Sequence, residues 1–270
     1  GTIDTYVANG WITAYGGNAR ASIEYDYNIT NPGKTTVYAI IEDLGKAWNP
    51  NPAIDRKAAT NVTLSWTAGD WALRHNVYLG TTFTDVNNAD TSSPVCKSVE
   101  QLGTTYNPGG LSASTMYYWR IDEINSSNPA SPWKGNVWRF FTGPLAVSPD
   151  KTTVAQYEPI FIDIGTSAVY SSNPFNPDDI KVDLRIICPD ATQLTVPCFY
   201  LSGQSGDSMW QARFAPKQTG QYSYYVQVYI NNSLNQTSST FYFTSTSSSG
   251  DGFVKPNTDS YYNFKFDSGK

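Results

Sequence analysis

Residues 111–125 read LSASTMYYWRIDEIN. In an extended chain successive side chains point to opposite faces, so Tyr117, Trp119 and Ile121 fall on one side. The same period governs NVTLSWT at 61–67, which aligns Val62, Leu64 and Trp66, and QYSYYVQVYI at 221–230, which aligns Tyr222, Tyr224, Val226, Val228 and Ile230. Turn residues interrupt the chain at short intervals, and no segment carries a helical stripe longer than a turn or two. Many short strands separated by turns predict β-sandwiches.

The composition agrees. The 270 residues include 19 Tyr, 12 Phe and 8 Trp but only 15% charged side chains, a mixture suited to half-buried strands and poor in the charges that coat helices. The length suffices for two ordinary domains. A net charge of -5 argues against nucleic acid, which selects basic grooves. No apolar run approaches the roughly 18 residues of a membrane-spanning helix. Gly1 opens the chain without a methionine or a signal-like segment, from which we expect a mature product or a fragment.

Four segments emerge. Residues 1–47 hold the strand-like runs ASIEYDYNI and TVYAIIEDL. WNPNPAIDRKAA leads into a segment over 48–143 that closes at VWRFFTG. PLAVSPDKTTVAQYEP opens a third over 144–246, which closes at STFYFTS. Residues 247–270 comprise a linker around TSSSGDG and the strand-like YYNFKF. The expected fold is therefore all-β: two tandem β-sandwiches with strand-rich N-terminal and C-terminal extensions, which the resemblances below make immunoglobulin/fibronectin-like.

The second segment, with NPNPA, NVTLSWTAGDWALRHNVYLGTTFTDVNNAD, TTYNPGGLSASTMYYWRIDEIN and WKGNVWRFFTG, resembles a fibronectin type III-like module. It is similar to the version repeated in large secreted proteins of planctomycete-type bacteria. The resemblance puts Trp66 at the core tryptophan of the second strand and aligns Leu111, Thr115 and Tyr117 with the residues that open the sixth. It implies a tyrosine corner, in which Tyr117 buries its ring and returns its hydroxyl to nearby backbone.

The third segment, with YEPIFIDI, NPFNPDDIKVDLRIICPDATQLTVPCFYLSG and MWQARFAPKQTGQYSYYVQVY, is similar to an uncharacterised immunoglobulin-like domain that precedes the catalytic barrel of secreted glycoside hydrolases. Its W-x-x-R-F-x-P-x-x-x-G-x-Y, beginning at Trp210, reads as strand, proline-and-glycine turn, strand. SGDGFVKPNTDSYYNFKFDSGK at 249–270 looks like the lead-in to such a barrel, so the resemblance implies that the catalytic part lies outside this chain. The first segment would suit the last strands of a carbohydrate-binding jelly roll. Trp66, Leu111, Tyr117, Trp119 and Trp210 are the expected structural residues.

Chemistry-bearing residues are few. His75 is the single histidine, and a zinc site or a nucleophilic triad needs partners. It lies in RHNVYLG, alternating with Val77 and Leu79, which makes it scaffold. DVNNAD at 85–90 offers Asp85, Asn87, Asn88 and Asp90 as oxygen ligands but lacks the glycine and distal glutamate of a calcium loop, so it reads as a solvated turn. Glu42/Asp43, Asp122/Glu123 and Asp178/Asp179 are adjacent in sequence, so within a strand their side chains diverge and cannot flank one sugar bond. GLSAS and SGQSGDS lack the context of a hydrolase serine. We expect no catalytic residue, no metal site, no cofactor and no enzymatic activity.

Cys188 and Cys198 flank PDATQLTVP, which reads as a connection between two strands and makes them a candidate cross-strand disulfide. Cys96 reads as a small buried hydrophobe. Asn28, Asn61, Asn125, Asn231 and Asn235 begin N-glycosylation sequons, which fit a secreted, extracellular or cell-surface protein. Trp11, Trp71, Trp133 and Tyr170 fall in turn-like stretches. They either cap the open ends of sandwiches or present flat faces to sugars, Trp71 and Trp133 being the candidate glycan contacts.

Two functions follow. The first is a non-catalytic scaffold or accessory module pair of a secreted carbohydrate-active or cell-surface protein, with polysaccharide as partner. The second is a structural subunit that assembles with copies of itself into a filament or surface layer. Residues 1–47 and YYNFKF are too short to bury cores alone, and donating strands to a neighbour's sheet edge would cover them.

Overall fold

The computed structural model describes residues 21–26, 36–41, 44–171, 173–258 and 264–266. ASIEYD and TVYAII form the antiparallel hairpin β1 (Ala21–Asp26) and β2 (Thr36–Ile41), with Ala21 opposite Ile41.

The first sandwich uses β3 (Trp48–Asn51), β4 (Arg56–Ala58), β5 (Leu64–Thr67), β6 (Arg74–Gly80), β7 (Cys96–Gln101), β8 (Thr105–Tyr106), β9 (Met116–Ile124) and β10 (Trp138–Thr142). One sheet has the order β3-β5-β8, the other β4-β10-β9-β6-β7. Between β3 and β4 the chain leaves the first sheet and joins the second, where β4 runs parallel to β10. The predicted alternation fills the space between the sheets: Leu64, Trp66, Val77, Leu79, Tyr117, Trp119, Ile121, Trp138 and Phe140 share one buried cluster. Trp119 sits at its centre, edge-on to Trp138 at 4.7 Å and to Trp66 at 6.3 Å.

The second sandwich uses β11 (Leu145–Pro149), β12 (Thr153–Ala155), β13 (Ile160–Thr166), β14 (Ile180–Ile187), β15 (Gln193–Pro197), β16 (Phe199–Gln204), β17 (Asp207–Phe214), β18 (Gly220–Ile230), β19 (Ser233–Thr237) and β20 (Phe241–Thr246). Its sheets run β11-β13-β17-β16 and β12-β20-β18-β14-β15, with β19 also paired to β18. Tyr222, Tyr224, Val226 and Val228 of β18 face Trp210, Ile160, Ile162 and Ile164 in one core. At one end Tyr222 stacks on Phe243 with ring centroids 4.8 Å apart. Asn231 and Asn232, both with positive φ, make the tight turn from β18 to β19 that a two-residue hairpin of natural twist demands.

Three readings of the sequence are corrected. QLTVP is not part of a connection but the strand β15, leaving only a short turn after Cys188. Cys198 donates its N–H to Val182 while Cys188 lies opposite Thr192, six residues further along β14. At about 3.3 Å per residue that is on the order of 20 Å, whereas a disulfide needs Cα atoms within about 7 Å. Cys188, Cys198 and Cys96 are all free thiols.

DVNNAD is the second. Residues 83–88 form a six-residue helix whose Val86 is buried. The third is YYNFKF, which is not a lone strand: its described residues, β22 (Phe264–Phe266), pair antiparallel with β21 (Val254–Pro256).

The strand β9 is buried on both faces. Its second face, Met116 and Tyr118, joins Tyr78, Val86 and Phe141 with Ala146 of β11 and Met209 of β17. This cluster belongs to both sandwiches and joins them without a free linker.

Candidate functional site

At the pole of the first sandwich remote from this junction, β6 and β9 place His75 opposite Glu123. Both are buried, and His75 Nδ1 is hydrogen-bonded to Glu123 Oε2. Glu123 Oε1 accepts the N–H of Gly69 at 3.1 Å, and the imidazole meets the edge of Trp66 at 5.5 Å. Glu123 thus ties the loop at Gly69 to the sheet and holds the imidazole in place. Asp122, the next residue, points the other way as expected and binds Arg120 and the N–H of Gly135.

Trp133 exchanges backbone hydrogen bonds with Glu123 and packs so close to Gly45 that a Cβ there would lie 2.4 Å from the indole. It is buried, at 8% exposure, and backs Trp71, whose ring is 6.0 Å away, tilted by 35° and 48% exposed. Of the two candidate glycan contacts, Trp71 alone therefore presents a face to solvent. Tyr170 is buried, and Trp11 lies outside the described residues.

The stretch at 85–90, which reads in sequence as a solvated turn, is organised by Arg120. Arg120, itself buried, donates to the carbonyls of Val86, Asn87 and Ala89 at the C-terminus of the helix, and its guanidinium lies 4.2 Å over the ring of Tyr78. Asp90 folds onto Ser92 and Ser93, whose hydrogen bonds hold its carboxyl below the usual carboxylate range. Among the described residues no group of three or more His, Cys, Asp or Glu side chains is placed to hold a metal. No helix among them is long and apolar enough to cross a membrane.

Both serine stretches brace loops. In SGQSGDS, Ser205 exchanges hydrogen bonds with the backbone of Tyr170, and buried Ser208 accepts from the Trp210 indole. GLSAS forms the loop gripped by the tyrosine corner, where Ser112 N–H donates to the Tyr117 hydroxyl at 2.9 Å. Leu111 packs on the core beside it.

Of the sequon asparagines, Asn61, Asn231 and Asn235 are exposed, and Asn28 lies outside the described residues, as do Glu42 and Asp43. Asn125 Nδ2 already donates to the Trp71 carbonyl at 2.7 Å.

The third group had no signal in sequence spacing. Arg139 of β10 donates through Nε to Asp55, which lies between β3 and β4, and through Nη1 to Asp163 of β13. Ser202 of β16 donates to Asp55 at 2.7 Å, and Gln211 of β17 to Asp163 at 2.8 Å. Burial alone would lower the Arg139 pKa, but the Asp55 bond and the Asp163 charge overcome it and raise the value. Beside it the N–H of Lys57 donates to Asp207 at 2.6 Å; burial pushes that carboxyl up, against the pull of Lys57 and Arg56. Arg139, Asp55, Asp163 and Gln211 line a cleft of about 320 Å³ between the sandwiches.

A family model described as a domain of unknown function (DUF5060) matches residues 153–229, from β12 into β18. No curated protein is similar to the chain by sequence. Among solved structures, one described as a "putative glycoside hydrolase" from Bacteroides vulgatus ATCC 8482 is 22% identical over 44% of this chain and 21% of its own, with a TM-score of 0.33. A two-fibronectin type III segment of chicken tenascin is 10% identical over 74% of this chain and 99% of its own, with a TM-score of 0.24. The chicken interferon gamma receptor alpha chain is 9% identical over 75% and 98%, with a TM-score of 0.27. The chain spans about a fifth of the length of the Bacteroides protein.

Proposed function

We propose that this chain is a non-catalytic scaffold, a pair of sandwich modules that spaces and orients other parts of a secreted carbohydrate-active or cell-surface protein. Kinship of the first sandwich with the planctomycete-type secreted modules is part of that reading, and so is a weak polysaccharide contact at Trp71. The observation that carries it is the junction. Tandem modules move freely unless their interface is large and apolar; here a shared apolar cluster is reinforced by Arg139, bonded to a carboxylate from each sandwich. A spacer that must hold an angle needs such a joint; modules on a loose tether do not. Small-angle scattering tests it. The wild-type chain should fit one inter-module angle, and Arg139→Ala should broaden the distribution. A broad distribution in the wild type would sink the proposal.

Self-assembly is the second reading, favoured by one feature. In the hairpin of β21 and β22, Val254 pairs with Phe266 and Pro256 with Phe264, which sets four apolar side chains on one exposed face, Phe264 being 75% exposed. Isolated two-stranded hairpins are marginal, so a covering surface on a second copy would stabilise this one. Light scattering and negative stain of the purified chain decide: polymers support this reading, a monomer at all concentrations removes it.

A further inference from the structure

The geometry points to the inter-module cleft as a binding site for a neutral sugar ring, a function beyond the scaffold reading and independent of it. Pockets at domain boundaries that combine apolar walls with a few convergent polar groups are the usual setting for small-molecule sites, and about 320 Å³ lies at the lower end of their range.

The walls are apolar. Phe83, from the first turn of the helix, is 49% exposed although its ring meets Tyr118 edge-on at 6.0 Å, and Ile54 is 51% exposed. The half-buried ring of Phe161 lines the cleft with them, the Arg213 guanidinium lying 5.5 Å over it. The floor is polar and of mixed charge. Arg139 is bonded to Asp55 and Asp163, the Gln211 amide is bonded to Asp163, and Asp150 lies on the same lining. Asp150 accepts the Phe161 N–H at 2.9 Å and lies 3.9 Å from Lys151. The Asp55 oxygens each take one of these hydrogen bonds, as do those of Asp163, and a carboxylate oxygen has two lone pairs, so accepting capacity remains.

Charge decides the ligand class. The two carboxylates bonded to the guanidinium, with Asp150 on the same lining, disfavour phosphate, sulfate or a uronate. The guanidinium itself disfavours a cation, which aromatic rings and carboxylates would otherwise suit. A pyranose answers both halves of the surface: its hydroxyls donate to carboxylates and accept from Arg139 and Gln211, while its C–H face lies against Phe83 and Ile54.

The test is titration of the ¹⁵N-labelled chain with cellotetraose, xylotetraose and mannotetraose, alongside a galacturonate tetramer and tetramethylammonium. At least one neutral tetrasaccharide should shift the amides of Thr84, Phe161 and Gln211. Phe83→Ala should weaken its binding about tenfold, with Ile54→Ala as a second variant at another half-exposed position. The scattering curve should be unchanged in both, which separates this site from the scaffold role. The proposal is overturned if no neutral probe moves those amides or if the anion or cation binds better. It also fails if neutral-sugar binding survives both variants or is abolished by Trp71→Ala instead.

Discussion

Tyr117 and Tyr222 occupy equivalent places in the two sandwiches: each lies near the start of a long central strand and turns its hydroxyl back to the preceding loop, at Ser112 and at Gln218. In the first the hydroxyl accepts an N–H at 2.9 Å; in the second it accepts from Gln218 N at 3.0 Å and donates to Gln218 O at 3.1 Å. Both rings are buried and stack on a phenylalanine of the neighbouring strand, Phe140 and Phe243. Replacing either tyrosine by phenylalanine keeps the ring and removes only these bonds. Tyr117→Phe should therefore cost about 1 kcal/mol and Tyr222→Phe about 1–2 kcal/mol, read as a lower urea midpoint for the affected sandwich. Midpoints equal to wild type would show that the loops are held by other contacts.

The His75–Glu123 pair gives a second prediction. Neither side chain reaches solvent, so truncating one leaves the other buried without its partner. Glu123→Ala should destabilise the first sandwich by about 3 kcal/mol, through the lost imidazole bond and the unsatisfied Gly69 N–H. The double variant His75→Leu with Glu123→Met should lose less than the two single losses added together, because neither side chain of the pair is left orphaned and only the Gly69 N–H stays unsatisfied. Simple additivity in a denaturant series would contradict the coupling described.

Much of the fold was legible because one periodicity decides it. Trp66, Tyr117 and Trp119 lie in the core on the faces given by the alternation of their strands, and Trp210, singled out only by its motif, lies in the other core. The run Met116-Tyr117-Tyr118-Trp119 also carried the signal that β9 is covered on both sides, since a strand with one wet face does not place four large apolar residues in succession. The corner at Tyr222 escaped because KQTGQY reads equally well as a plain turn. The strand β15 was read as connection because Gln193, Leu194 and Thr195 are exposed and give no alternation. The helix at 83–88 is too short to show a helical period. The junction was out of reach for a different reason: Arg139 meets partners 84 and 24 residues away, and no local pattern encodes that distance. Likewise, which of Trp71 and Trp133 faces solvent depends on the packing of Gly45, not on their own surroundings in sequence.

Arg120 should be the residue on which the helix depends. Its guanidinium satisfies carbonyls that a helix C-terminus leaves without intrahelical partners, and it spans from Asp122 to Ala89 in a planar fork that a lysine cannot reproduce. Arg120→Lys should cost about 2–3 kcal/mol. It should also speed amide exchange selectively at residues 83–89 while leaving β18 protected. Uniform loss of protection across both sandwiches would instead mean that Arg120 supports the fold as a whole.

The cysteines provide the last prediction. Burial raises the thiol pKa of Cys198, with the charge of Asp183 adding to it, and burial likewise raises those of Cys188 and Cys96. A raised pKa keeps the thiol protonated at neutral pH, and the protonated form is a poor nucleophile. The native protein should therefore react slowly with an aromatic disulfide reagent at pH 7. Denaturation should expose three titratable thiols. Because Cys188 and Cys198 are held six residues apart along β14, a reducing agent should leave the unfolding midpoint unchanged. A midpoint that falls on reduction, or a denatured count of one thiol, would mean that β14 and β15 pair in a different register from the one described.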